Sequence, residues 1–167
     1  MRHISLKAFT LLLLTLFTST FTFAAHHASG DPHKSTKMKG MIILKSNHNV
    51  KITADKLEKV LNAKGMTVFK RIDHSAGAKK VDKELRPTEL VIFGNPKVGT
   101  PLMQCAQSVA IDLPQKMLIW EDEKGKTWLA YNDPNYLVKR HNIKGCEVVI
   151  GKISGALKKF ATVATAP

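Results

Sequence analysis

The stretch QKMLIWEDEKGKTWLAYNDP, residues 115–134, constrains the fold more than any other. Two β-rich runs, KMLIWED and KTWLAYN, flank a turn at Glu123-Lys124-Gly125-Lys126, the pattern of a β-hairpin. Paired consecutive strands, with helices segregated between other strands, argue for an α+β fold with a mainly antiparallel sheet.

The remaining elements fit around that hairpin. MIILKSN is a short apolar strand. TADKLEKVLNAKG is the clearest helix, with Thr53 as the expected N-cap, Leu57, Val60 and Leu61 on one face, and Gly65 as its stop. MTVFKRIDH and TELVIFGNP read as strands, and SAGAKKVDKELRP as a loop or weak helix. PLMQCAQSVAIDLP is expected to be one helix stopped by Pro114. NYLVKRHNI supplies one or two helical turns, and EVVIGKISGALKKFATVA an apolar-striped closing helix. The expected core order is β-α-β-β-α-β-β-α, a mainly antiparallel sheet backed by helices, over residues 41–163.

Ahead of that domain, a basic start ending at Lys7 precedes the apolar run AFTLLLLTLF and then small residues, the layout of a secretory signal peptide over residues 1–24. The charge-free run is short and interrupted by Thr and Ser, so no stable membrane span is expected after cleavage. A polar leader over residues 25–40, HHASGDPHKSTKMKG within it, lacks periodicity and reads as flexible. The expected location is the periplasm or the exterior. Without Arg2 and Lys7 the chain keeps 24 basic residues against 13 acidic, a formal +11. Such charge suits a polyanion or an anionic ligand, or serves solvation alone. Nucleic acid is disfavoured as a partner, because export separates the protein from it and no zinc-finger, arginine-rich or RNP-type motif is present.

With 167 residues the chain has enough length for one domain. Its two cysteines, Cys105 and Cys146, match neither a CxxC motif nor a zinc pattern. An even count in an oxidising compartment invites a disulfide, whereas a buried helical position for Cys105 argues against one. If cleavage leaves Ala25 first, His26 and His27 follow. The amine, two backbone amides and the His27 imidazole could then offer four planar nitrogens to Cu(II) or Ni(II); a solvated leader is the alternative.

Three stretches could carry chemistry. FGNPKVGT runs from a strand into a helix start, where backbone N–H groups and Lys97 would suit an anion. The order is not that of a Walker loop, and a stiffened β-to-α corner with permissive glycines is the competing reading. YNDPNYLVKRH brings Tyr131, Asn132 and Asp133 to a strand end and sets Tyr136 and Arg140 on one helical face. Asp133 could act as acid or base and His141 as a proton shuttle, or Asp133 could simply cap the helix. In RIDH, Asp73 and His74 would point to opposite faces of a strand. Asp112 reads as a turn residue before Pro114.

Taken together, FGNPKVGTPLMQ, AIDLPQKMLIWED and YNDPNYL followed by RH closely resemble the domain-of-unknown-function 302 family, over roughly residues 41–160. The signature positions fall on Asn95, Pro96, Gly99, Thr100 and Pro101, then Asp112, Leu113 and Pro114, then Tyr131 and Asp133. The resemblance implies an α+β fold similar to the TATA-binding-protein-like class, often dimeric, so a homodimer is an expected partner arrangement. It carries no established activity, and the cofactor stays unknown.

The resulting expectation is an exported binding module for a small anionic or polar molecule. Asn95, Lys97, Gly99 and Thr100 would face Tyr131, Asn132, Asp133 and Arg140. The rival is an uncharacterised enzyme using Asp133 or His141 in acid–base chemistry.

Overall fold

A computed structural model describes residues 38–167. The strands are β1 (Met41–Lys45), β2 (Thr67–Asp73), β3 (Thr88–Gly94), β4 (Gln115–Glu121) and β5 (Thr127–Asn132). They form one sheet in the order β1-β5-β4-β3-β2, antiparallel throughout. The helices are α1 (Val50–Ala63), α2 (His74–Lys79), α3 (Pro96–Cys105), α4 (Pro134–His141) and α5 (Glu147–Thr165), with a 3₁₀ turn at Gln107–Asp112. The expected α+β architecture is therefore the observed one. The expected signal peptide, His26 and His27, and nearly all of the expected leader lie outside the described residues.

Alternation along the strands decides which face is buried. Val91 and Phe93, Met117 and Ile119, and Leu129 and Tyr131 point to one side, where α1 and α5 cover them. α1 meets them with Val50, Ala54, Leu57 and Leu61, an apolar stripe at helical spacing, and α5 with Ile153, Leu157, Phe160 and Ala164. Leu57 is fully buried, so Leu57→Ala would remove about 2–5 kcal/mol of stability. On the opposite face Leu90 lies across from Leu118 and Trp120 across from Trp128, all half-buried and outside the core cluster.

Two local expectations are corrected, the cap of α1 and the helix before Pro114. Asn49, not Thr53, caps α1: its side chain accepts from the Ile52 N–H at 2.9 Å, three residues further on. Thr53 sits inside the helix, where its hydroxyl donates to the Asn49 carbonyl and pairs with Ser46. Gly65 does end α1, with φ of 69°. Of the two readings of SAGAKKVDKELRP the weak helix is the one observed: α2 opens at His74, and the Asp73 carboxylate caps it by accepting from the Ala76 N–H. The single helix expected before Pro114 is instead two pieces. α3 begins earlier, with Pro96 in its first turn, and breaks at Ala106, whose extended backbone (φ −155°, ψ 103°) separates it from the 3₁₀ turn.

Candidate functional site

The end of β3 builds one wall of a cavity. Asn95 leaves the strand in extended conformation and its Oδ1 accepts from the Lys97 N–H at 2.9 Å, capping α3. Its Nδ2 donates to the Gly65 carbonyl at 2.8 Å, fastening this corner to the end of α1. The Val98 and Gly99 N–H groups both donate to the Asn95 carbonyl, at 2.9 Å each. Pro96 has no N–H. The expectation of free backbone donors at this helix start is thus overturned, because the asparagine absorbs them from two sides. Permissive glycine dihedrals are not needed either: neither Gly94 nor Gly99 has positive φ.

What the corner does enclose is apolar. A cavity of about 350 Å³ opens here, within the size range of small-ligand pockets. Phe69, Phe93, Leu102, Leu113, Leu157 and Phe160 supply much of its wall, and Asn95, Gly99 and Thr100 also line it. Phe93 and Phe160 meet edge to face, ring centroids 6.2 Å apart, a favourable aromatic geometry. Phe69 occupies the irregularity of β2 between Val68 and Lys70 and is 53% exposed, which sets its ring at the rim. A Cβ on Gly94 would come within 3.1 Å of that ring. Lys97 is exposed and lies between Pro96 and Val98, both of which line the cavity, but is not itself a lining residue.

Tyr131, Asn132, Asp133 and Arg140 are not among the cavity's lining residues. Tyr131 is buried in the core, and burial, followed by the Asp133 charge, pushes its phenol above the usual range. Asn132 pairs with Met41 at the sheet edge. Asp133 caps α4, accepting from the Asn135 N–H at 2.9 Å, while its own N–H donates to Gly40 at 3.0 Å. Asp133 and His141 stand at opposite ends of α4, separated by a rise of roughly 12 Å. No acid–base pair forms between them.

His141 instead belongs to a cluster that crosses from α4 to the 3₁₀ turn. Its Nε2 meets Asp112 Oδ2 at 2.6 Å and its Nδ1 meets Ser108 Oγ at 3.0 Å. Arg140 Nη1 donates to Asp112 Oδ1 at 3.1 Å. The His141 and Asp112 side chains are only 7% and 11% exposed, whereas Ser108 faces solvent. Sequence reasoning treated Asp112 as a turn residue and passed over Ser108. Asp112 and His141 lie 29 residues apart, and no local spacing signals such a pairing.

Cys105 and Cys146 are bonded to each other, with Cα atoms 6.4 Å apart. The bridge ties the end of α3 to the start of α5, beside both halves of the Ser108–His141 cluster. Among the described residues no group of three or more His, Cys, Asp or Glu is placed to hold a metal, and no helix is long and apolar enough to cross a membrane.

Comparison with known proteins bears on the whole domain. The family model described as "Domain of unknown function DUF302" matches residues 42–160. A 104-residue segment is 46% identical to "Fluoride-specific ion channel FluC 1" of Brucella suis biovar 1 (strain 1330), covering 62% of this chain and 41% of that protein. The protein of the same name in Brucella abortus biovar 1 (strain 9-941) is equally similar, with 38% of its length covered. The chain thus spans about two-fifths of these curated relatives. Among solved structures, an uncharacterized conserved DUF302 protein from Bacillus stearothermophilus superposes with a TM-score of 0.69 at 16% identity, over 77% of this chain and all of that one. That likeness shows the fold alone.

Proposed function

We propose, from the premise that this chain belongs to the DUF302 family, that it is an exported binding module for a small amphipathic molecule. The observation that carries the reading is the cavity of about 350 Å³ beneath the β3–α3 corner, walled by aromatic and aliphatic side chains. An apolar body would fill it, displacing water from surface that gains nothing by hydration. A polar or anionic end would remain at the rim, where the exposed Lys97 follows the lining residue Pro96 in sequence. Export is supported by the signal-like start and by the Cys105–Cys146 bridge, since disulfides persist in oxidising compartments.

The curated relatives' name points to fluoride. A small, strongly hydrated anion needs several donors to replace its water. The first-turn N–H groups of Lys97, Val98 and Gly99 are already spent on Asn95. The cavity therefore favours an organic ligand over fluoride.

Native mass spectrometry of the purified protein with dodecanoate tests this. One bound dodecanoate is expected. Ala156→Phe, which fills the cavity from α5, should abolish binding while the circular dichroism spectrum is retained. Lys97→Ala should weaken binding a few-fold, as one exposed charge contact of up to about 1 kcal/mol allows, with stability unchanged within about 0.5 kcal/mol. Sodium fluoride should leave the melting curve where it was. An absent adduct, or one that survives Ala156→Phe, overturns the reading. The same spectra report whether the protein is a homodimer.

A further inference from the structure

We propose that Ser108 is an activated nucleophile, with His141 as its general base and Asp112 as the group that orients the base, and that its electrophile is a carboxylic ester or an equivalent acyl group. The inference rests on three side chains drawn from two elements, and it stands independently of what the apolar cavity binds.

The hydrogen-bond inventory assigns the roles. A carboxylate only accepts, so the 2.6 Å contact to Asp112 places the proton of a neutral imidazole on Nε2. Nδ1 is then left as an acceptor, and Ser108 Oγ donates to it at 3.0 Å. The second oxygen of Asp112 is held by Arg140, which fixes the plane of the carboxylate. Base and orienter are nearly buried while the hydroxyl is open to solvent. This is the relation that nucleophilic catalysis requires: the base is rigid and the nucleophile can be reached. Ser108 lies three residues after Cys105, and Cys146 five residues after His141, so the disulfide pins the two segments whose contact makes the array.

In the reaction, Oγ attacks the carbonyl carbon and passes its proton to Nδ1. The ester C–O bond then breaks, and the imidazolium gives that proton to the departing alcohol. Water, deprotonated by the same nitrogen, attacks the acyl-serine carbonyl, releasing the carboxylic acid and restoring Ser108. The Nε2–H bond to Asp112 persists through both halves.

A fluorophosphonate probe reads nucleophilicity directly. The native full chain, disulfide intact, should carry one phosphonyl group on the peptide containing Ser108, and guanidinium-denatured protein none. Hydrolysis of p-nitrophenyl acetate should fall at least roughly 100-fold in Ser108→Ala, a change at an exposed position that spares the fold. His141→Gln, where circular dichroism shows it folded, should lose the label as well. No label on native Ser108, equal labelling of native and denatured chain, or unchanged ester hydrolysis in Ser108→Ala overturns the proposal.

Discussion

At the scale of single residues, two glycines of similar appearance in sequence do opposite things. Gly40 holds φ of 82°, and a Cβ there would fall 2.7 Å from the Tyr136 ring. Left-handed backbone and overpacking both penalise a side chain, so Gly40→Ala should cost about 2 kcal/mol or more. Gly99 lies within α3, and its added Cβ would meet only Leu113, at 3.9 Å. Gly99→Ala should leave stability unchanged or raise it by up to about 1 kcal/mol. Urea denaturation of the two variants checks the pair, and a reversed order would refute the account. Asn95 makes the same point about context. Its short amide is spent on a cap and on Gly65, so a residue that reads as a ligand contact is largely a fastener.

At the scale of elements, the strands and long helices follow their own apolar periods, whereas the joints between them are set by partners elsewhere. Arg71 on β2 is the clearest joint. Its guanidinium bonds Glu89 on β3 and Asp55 and Glu58 on α1, tying the sheet edge to the helix. Glu89 foremost holds that guanidinium charged. Lys51 first, then Arg71, hold the Asp55 carboxyl below its ordinary value. The Asp73 carboxyl is lowered by Ser75 and the Ala76 N–H, and that of Asp122 by Trp128 and the Lys126 N–H. A carboxyl depressed in the folded state binds its proton more readily when unfolded. Its stabilisation is thus present above the unfolded value and lost as pH falls through the folded one. Unfolding free energy should therefore decline below about pH 4. Asp55→Asn should flatten that decline; an identical acid limb in wild type and variant would remove Asp55 from the explanation.

At the scale of the whole molecule, export and the disulfide are one expectation checked by one measurement. The intact mass of protein recovered from outside the cytoplasm should correspond to a chain starting at Ala25 and lacking two hydrogens. A sole species that retains residues 1–24, or one with both thiols free, would sink it. The bridge closes a loop with a sequence separation of 41, worth roughly 4 kcal/mol through the unfolded chain. Reduction should accordingly lower the melting temperature.

Periodicity, caps and turns are written in neighbouring residues, so the hairpin of β4 and β5, the apolar stripes of α1 and α5, and the antiparallel α+β class could be read along the chain. The sequence also marked the β3–α3 corner as a place worth attention. It could not say that the corner's N–H groups are consumed, because that depends on which way one asparagine turns. Nor could it say that the space beneath is apolar, since Phe69, Leu102 and Phe160 meet only when β2, α3 and α5 converge. Ser108, Asp112 and His141 are ordinary polar residues in their own segments. Only tertiary packing, with the Cys105–Cys146 bridge beside it, brings them within hydrogen-bond distance, and a contact spanning 29 or 33 residues leaves no trace in a local pattern.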